Sequence, residues 1–278
     1  MHHFVDAYHH IAPGDSACPA LDAYFAAASP GLKAYASKFG VGAKDVCRAI
    51  RAQPTWYAGI EGKLPTLDSS AHQIREIYAR YLALDSVALL PSVYFVVGNG
   101  TSGGTTVGWR NPIVLIGVER TGNVERIAGT IAHEFVHTQQ HYPYIGAMSG
   151  GPTFLQGSLL RHSIKEGSAN LVAEVLTGDR QGNAYGEAHA GELWQEFRRD
   201  MHGKDFSRWV YNGWNAKALG DRPADLGYWM GYQISKAYYD KASDKRQAVR
   251  DIMSIRDFDR FLAESGYAGV PSLSISHL

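Results

Sequence analysis

From Val124 to His137 an apolar helical stripe runs without a break into two histidines, and no other segment limits the fold as tightly. Val124, Ile127, Ala128 and Ile131 fall at i, i+3, i+4 and i+7, the spacing of a helix that buries one face. His133-Glu134-Phe135-Val136-His137 continues that helix. Residues four apart lie on one face a turn apart, so the two imidazoles can hold a single Zn²⁺ through nitrogens at roughly 2.0–2.1 Å. Glu134, next to the first histidine, faces the water that such an ion activates and can take its proton. The alternative is a helix with two satisfied core histidines and an incidental glutamate. Pro143 ends the segment, because the residue before a proline avoids the α region, and the helix is expected over 124–141.

A catalytic zinc takes three protein ligands and keeps one position open. His141 fails as the third, since a rise of 1.5 Å per residue puts it about 12 Å from His133 along the axis. A longer three-histidine motif also fails, needing glycine where Gln140 stands and histidine where Pro143 stands. The better candidate lies in a second helix, expected over 158–177. There Ile164, Leu171, Val172, Val175 and Leu176 are apolar and Gly178 marks the stop. Glu166, Asn170 and Glu174 are four apart and share one face. Glu166 is the expected third ligand, with Asn170 or Glu174 hydrogen-bonding a ligand histidine. His162, four residues before Glu166, is an alternative ligand. Gly167 and Ala169 are small, as suits a close approach of two helices.

Through Ile131-Ala132-His133-Glu134-Phe135-Val136-His137-Thr138-Gln139-Gln140 and Ile164-Lys165-Glu166-Gly167-Ser168-Ala169-Asn170, the chain resembles the gluzincin metallopeptidases. It more closely resembles the predicted zinc-dependent proteases of the DUF2268 type, over roughly residues 90–240. It departs from the best-known gluzincins in the longer stretch, residues 138–165, between His137 and Glu166, and in Asn170, where several of them have an acid. The resemblance implies an α+β, mainly helical, zincin-like fold with a small central β-sheet next to the HExxH helix and a helical C-terminal part. It implies one Zn²⁺ per chain, a peptide or protein substrate, and Glu134 as catalytic base. It also implies a strand edge lining the cleft, on which a substrate peptide pairs through its backbone. Gly103, Gly104 and Thr105 are the residues expected at that edge, the glycines permitting a close approach. A hairpin loop without substrate contact is the alternative for them. A donor for the developing oxyanion is required as well. Tyr228 with Gly231 resembles the Tyr-x-x-Gly of gluzincin aminopeptidases, and Tyr232, one turn on, is the other candidate.

Around these motifs, Ser92–Val97 and Ile113–Val118 read as strands joined by a glycine-rich loop, Gly98–Thr106. That loop lacks the Gly-Lys-Ser/Thr ending of a phosphate cradle and leads into a strand, which excludes that reading. Further helices are expected near 19–29, 69–85, 187–201, 224–241 and 257–265. The 278 residues, 45% hydrophobic, suffice for one catalytic domain, 1–278, with two lobes. Residues 1–142 would carry the sheet and the HExxH helix, and 143–278 would be helical and carry Glu166, with the cleft between them.

Lys+Arg and Asp+Glu both total 27, and no basic stripe suggests nucleic acid. No apolar run is long enough for a transmembrane segment. Cys18 and Cys47, the only cysteines, form one disulfide in an exported protein or stay two buried thiols in a cytosolic one. The start is not a signal peptide. Composition fits a bacterial periplasmic or secreted protein whose leader is absent from this chain, with the cytoplasm as the alternative. The expected function is zinc-dependent peptide hydrolysis. Its alternatives are a non-catalytic binding protein on a peptidase-like scaffold and a zinc hydrolase of non-peptide amides or esters.

Overall fold

A computed structural model describes residues 1–12, 18–108, 110–143, 157–180, 182–213 and 219–271. They gather into two compact units, residues 1–79 with 89–138 and residues 80–88 with 139–278. In the first, helices α1 (His2–His9), α2 (Ala20–Ala26), α3 (Pro30–Phe39), α4 (Ala43–Ala52), α5 (Pro54–Ala58), α6 (Ile60–Ser69) and the part of α7 (Ala71–Leu84) before Arg80 precede the sheet. Strands β1 (Ser92–Val96), β2 (Gly104–Val107) and β3 (Ile113–Gly117) follow, and a 3-10 turn at Val124–Arg126 leads into α8 (Ile127–His137). In the second, α9 (Leu159–Thr177), α10 (Ala184–Ala188), α11 (Ala190–Asp200), α12 (Leu226–Lys241), α13 (Lys245–Met253) and α14 (Phe258–Ser265) are helical. The molecule is thus mainly helical with a small three-stranded sheet.

The strand order is β1-β3-β2, with β1 parallel and β2 antiparallel to β3. Val114, Leu115 and Ile116 of β3 are buried, as a central strand covered on both faces requires. Helix α3 packs on β1 and β3, and its Gly31 lies against Tyr94. Helix α8 packs on β2 and β3, and its Glu134 lies against Gly104. In the pairing register Tyr94, Leu115 and Thr105 share one face of the sheet, while Phe95, Ile116 and Gly104 share the other. The two helices therefore cover opposite faces, and among the described residues β2 pairs with β3 alone.

Two expectations need correction. The helix carrying the histidines does not reach residue 141 but ends at His137. Thr138 closes it by bonding back to Phe135 O through both its N–H (2.9 Å) and its hydroxyl (2.7 Å). Beyond it, Gln140 Nε2 donates to Lys165 O on α9, and the His141 N–H donates to Met253 O on α13 where a continued helix would bond it to its own i−4 carbonyl. The stretch Gly98–Thr106 is not loop throughout, because Gly104 to Thr106 belong to β2. A buried central strand needs backbone partners on both sides, and this short segment provides them for β3.

The core of the second unit is the crossing of α9 and α12. A Cβ on Gly231 would lie 1.7 Å from Ser163 O, and one on Gly167 would lie 2.0 Å from the Tyr232 nitrogen. The two backbones touch there, as the small residues around Gly167 predict. Ser158 caps the start of α9 by accepting the Arg161 N–H, and Gly178 ends it in the left-handed region at φ 74°.

Candidate metal centre

The HExxH residues occupy the last two turns of α8. Phe135 and Val136 are buried, and Tyr78 packs on Phe135 with ring centroids 4.8 Å apart, fixing the rotation of the helix. His133 and His137 are half-buried on the other side. Their Nε2 atoms lie 3.0 Å apart and their rings meet edge to face. When both Nε2 atoms are unprotonated, their lone pairs converge on one point. Nitrogens held at 2.0–2.1 Å by one tetrahedral ion lie about 3.3 Å apart, close to the spacing seen.

Glu134 is only 8% exposed. Its carboxylate lies where a Cβ on Gly104 would be, 2.6 Å from Oε1 and 2.8 Å from Cγ. Only glycine lets the edge strand come this close to the acid. On β2 the bonded positions are fixed by the Gly117 N–H, which donates to Gly103 O at 3.0 Å. Alternation then turns the backbone groups of Gly104 and Thr106 toward the free edge. Lys38 Nζ donates to Thr106 O at 3.0 Å and also to the Thr105 hydroxyl, while the Ser102 hydroxyl donates to Gly104 O.

On α9, Glu166 is 4% exposed, and both Lys165 Nζ and the Tyr211 hydroxyl donate to its Oε1 at 2.8 Å. Among the described residues, His133, His137 and Glu166 form a group whose potential ligand atoms all lie within 4.8 Å of one another. Two imidazoles and a carboxylate are a donor set that suits zinc. His162 and His141 do not belong to the group. Asn170 is half-buried one turn beyond Glu166. Glu174 is buried, and its Oε2 accepts the Tyr232 hydroxyl at 2.6 Å.

A sequence profile of the family described as "Predicted Zn-dependent protease (DUF2268)" matches residues 92–256. The chain belongs to this family. No curated protein and no solved structure matches it. The matched span runs from β1 through α13 and contains the three residues of the candidate centre. The zinc dependence and proteolysis in the family description are compatible with that donor set.

The sequence motifs did not point to Tyr211. Its backbone is left-handed at φ 57°, a conformation that is a genuine outlier for a bulky side chain and of order 1–3 kcal/mol unfavourable. The next residue holds it there. The Asn212 N–H donates to Asp225 Oδ1 at 3.0 Å, and the Asp225 N–H donates to Asn212 Oδ1 at 2.7 Å. Burial, and then the negative charge of Glu166, push the Tyr211 hydroxyl well above its ordinary range, so it stays a donor. Tyr228 meets the Tyr211 ring edge to face at 6.1 Å. Within Trp209-Val210-Tyr211-Asn212-Gly213 nothing local announces a left-handed tyrosine; the Asn212–Asp225 pairing that sets it is tertiary.

Proposed function

We propose that the chain is a zinc-dependent peptidase in which His133, His137 and Glu166 hold the ion and Glu134 is the catalytic base. The carrying observation is the convergence of these three side chains in a chain whose Glu134 sits between the two histidines. When bound, zinc supplies a Lewis acid that polarises a carbonyl oxygen and acidifies water. Glu134 takes a proton on its carboxylate as water attacks the peptide carbonyl, then delivers it to the leaving amine nitrogen. Gly104 keeps the strand close enough to limit how Glu134 can turn, which holds the base in one orientation.

The free edge of β2 favours a peptide over other acyl compounds. A substrate strand would pair with the outward backbone groups of Gly104 and Thr106, replacing the Ser102 and Lys38 contacts on their carbonyls. Gly103 and Thr105 flank these positions and complete the substrate-binding edge. For the oxyanion donor we favour Tyr228 over Tyr232, since the Tyr232 proton is committed to Glu174. Asn170 or Glu174 would hydrogen-bond a ligand histidine. The Cys18–Cys47 disulfide supports an exported protein, because such bonds persist in oxidising compartments.

Glu134→Gln tests the reading. The variant should keep its zinc while losing hydrolysis of casein or a peptide pool by about 10²- to 10⁴-fold. A chelator should stop the wild-type protein. Activity that survives in the zinc-loaded variant would sink the mechanism.

A further inference from the structure

Behind Glu166 lies a chain of side chains to which the proposed mechanism gives no role. The Tyr211 hydroxyl has one proton, and it goes to Glu166 Oε1. Its oxygen is therefore the acceptor toward His162, whose Nδ1 is 3.2 Å away, and this places the His162 proton on Nδ1. His162 is itself fixed. It is buried, packs on the Phe206 ring at 4.7 Å and meets the Tyr211 ring edge to face at 5.7 Å. The relay runs in one direction, from His162 to Tyr211 to Glu166. The left-handed backbone at Tyr211, locked by the reciprocal Asn212–Asp225 bonds, aims the ring into it.

We infer that Tyr211 is a positioning residue for the Glu166 carboxylate, held in place by His162 and by the Asn212–Asp225 clamp. The inference rests on the reading of Glu166 as a zinc ligand. A glutamate on a helix has three rotatable bonds, and a ligand free to swing loses affinity for the ion. Two donors on Oε1, from Tyr211 and Lys165, fix the plane of the carboxylate. Partners of this kind are worth about 10- to 100-fold in metal affinity. Strained backbone in a folded protein is held by its surroundings and clusters at functional sites, which gives the outlier at Tyr211 a purpose.

The test measures zinc affinity by competition with a chromophoric chelator, so it does not depend on turnover. Tyr211→Phe keeps the ring and removes only the hydroxyl. Its dissociation constant for zinc should rise about 10- to 100-fold, measured on protein that remains folded without the metal. His162→Leu, which removes the anchor of Tyr211, should weaken zinc in the same direction and by less. It serves as the second probe if Tyr211→Phe folds poorly. Tyr238→Phe deletes a hydroxyl bonded to Asp251 in the same unit and should bind zinc like the wild type. Wild-type affinity in Tyr211→Phe, alongside lost binding in His137→Ala, overturns the inference and leaves the peptidase reading standing. Equal weakening in Tyr238→Phe also overturns it. Wild-type affinity in His137→Ala instead overturns the reading of the centre itself.

Discussion

Glu119 sits within electrostatic reach of the Tyr24, Tyr35 and Tyr57 hydroxyls and is 3% exposed. Its Oε1 accepts the N–H groups of Gly98 (3.1 Å) and Gly100 (2.9 Å), while Oε2 finds no hydrogen-bond partner among the described residues. Burial raises its pKa, and its own N–H, those of Gly100 and Gly98, and Arg120 offset only part of the shift. The fold therefore binds this proton more tightly than the unfolded chain does. As pH rises from the ordinary glutamate range near 4.3 toward the raised value, this carboxyl makes the protein less stable, by about 1.4 kcal/mol for each unit of raised pKa. Glu119→Gln keeps the acceptor for both glycines and does not titrate. Its stability advantage over the wild type should grow with pH across that window. Denaturant midpoints for the two proteins that run parallel between about pH 4 and 7 would refute this. In the sequence, Val118-Glu119-Arg120 reads as an ordinary charged pair after a strand; its burial is a tertiary fact. His133, Glu134, His137 and Glu166 were legible for the opposite reason. The spacing of the first three on one helix is displayed by a sequence, and Glu166 was reached from its place on a second helix and the family resemblance, whereas Tyr211 depends on a distant partner, Asp225.

Among the elements, the long helices were legible, as was the short α14, expected near 257–265 and found at Phe258–Ser265, whereas α3 to α6 were not. Helices α9 and α12 were anticipated within two residues at either end, because four or more turns display the apolar period. Helix α3 carried its own signals, Ser29 as cap, Pro30 in the first turn and Gly40 left-handed at φ 63°, but it and its neighbours α4 to α6 span at most ten residues. Strand β2 has four residues, all half-buried, so no alternation marks it. Glycines that read alike in sequence also differ sharply in space. Gly231→Ala would drive a methyl group into Ser163 O, and neither backbone can yield without separating α9 from α12. It should destabilise at or beyond the ~3 kcal/mol upper end of ordinary overpacking. Gly191→Ala in α11 meets nothing within 4 Å and should stabilise by about 0.5–1 kcal/mol. Chemical unfolding of the two variants against the wild type decides it; a neutral Gly231→Ala would mean that the crossing is looser than described.

Across the whole molecule, the exchange of residues 80–88 into the second unit leaves no mark in composition, because α7 passes through Arg80 as one continuous helix. The two cysteines were legible only as a choice, bonded or free, since sequence carries no distance between them. In the folded chain Cys18 and Cys47 are bonded, both are buried, and they close a stretch of 29 residues within the first unit. Neither thiol can reach solvent without opening α2 and α4, so the bond should resist mild reductant in the folded state. Its main effect falls on the unfolded chain, which loses the conformations that a loop of this length forbids, a contribution of about 3–4 kcal/mol. The double variant Cys18→Ser with Cys47→Ser should therefore unfold at lower denaturant by that amount. Wild-type protein unfolded in reductant should approach the variant, and unfolded without reductant it should not. Two titratable thiols in the purified, denatured, never-reduced protein would contradict the bond, and an unchanged midpoint in the double variant would contradict its contribution.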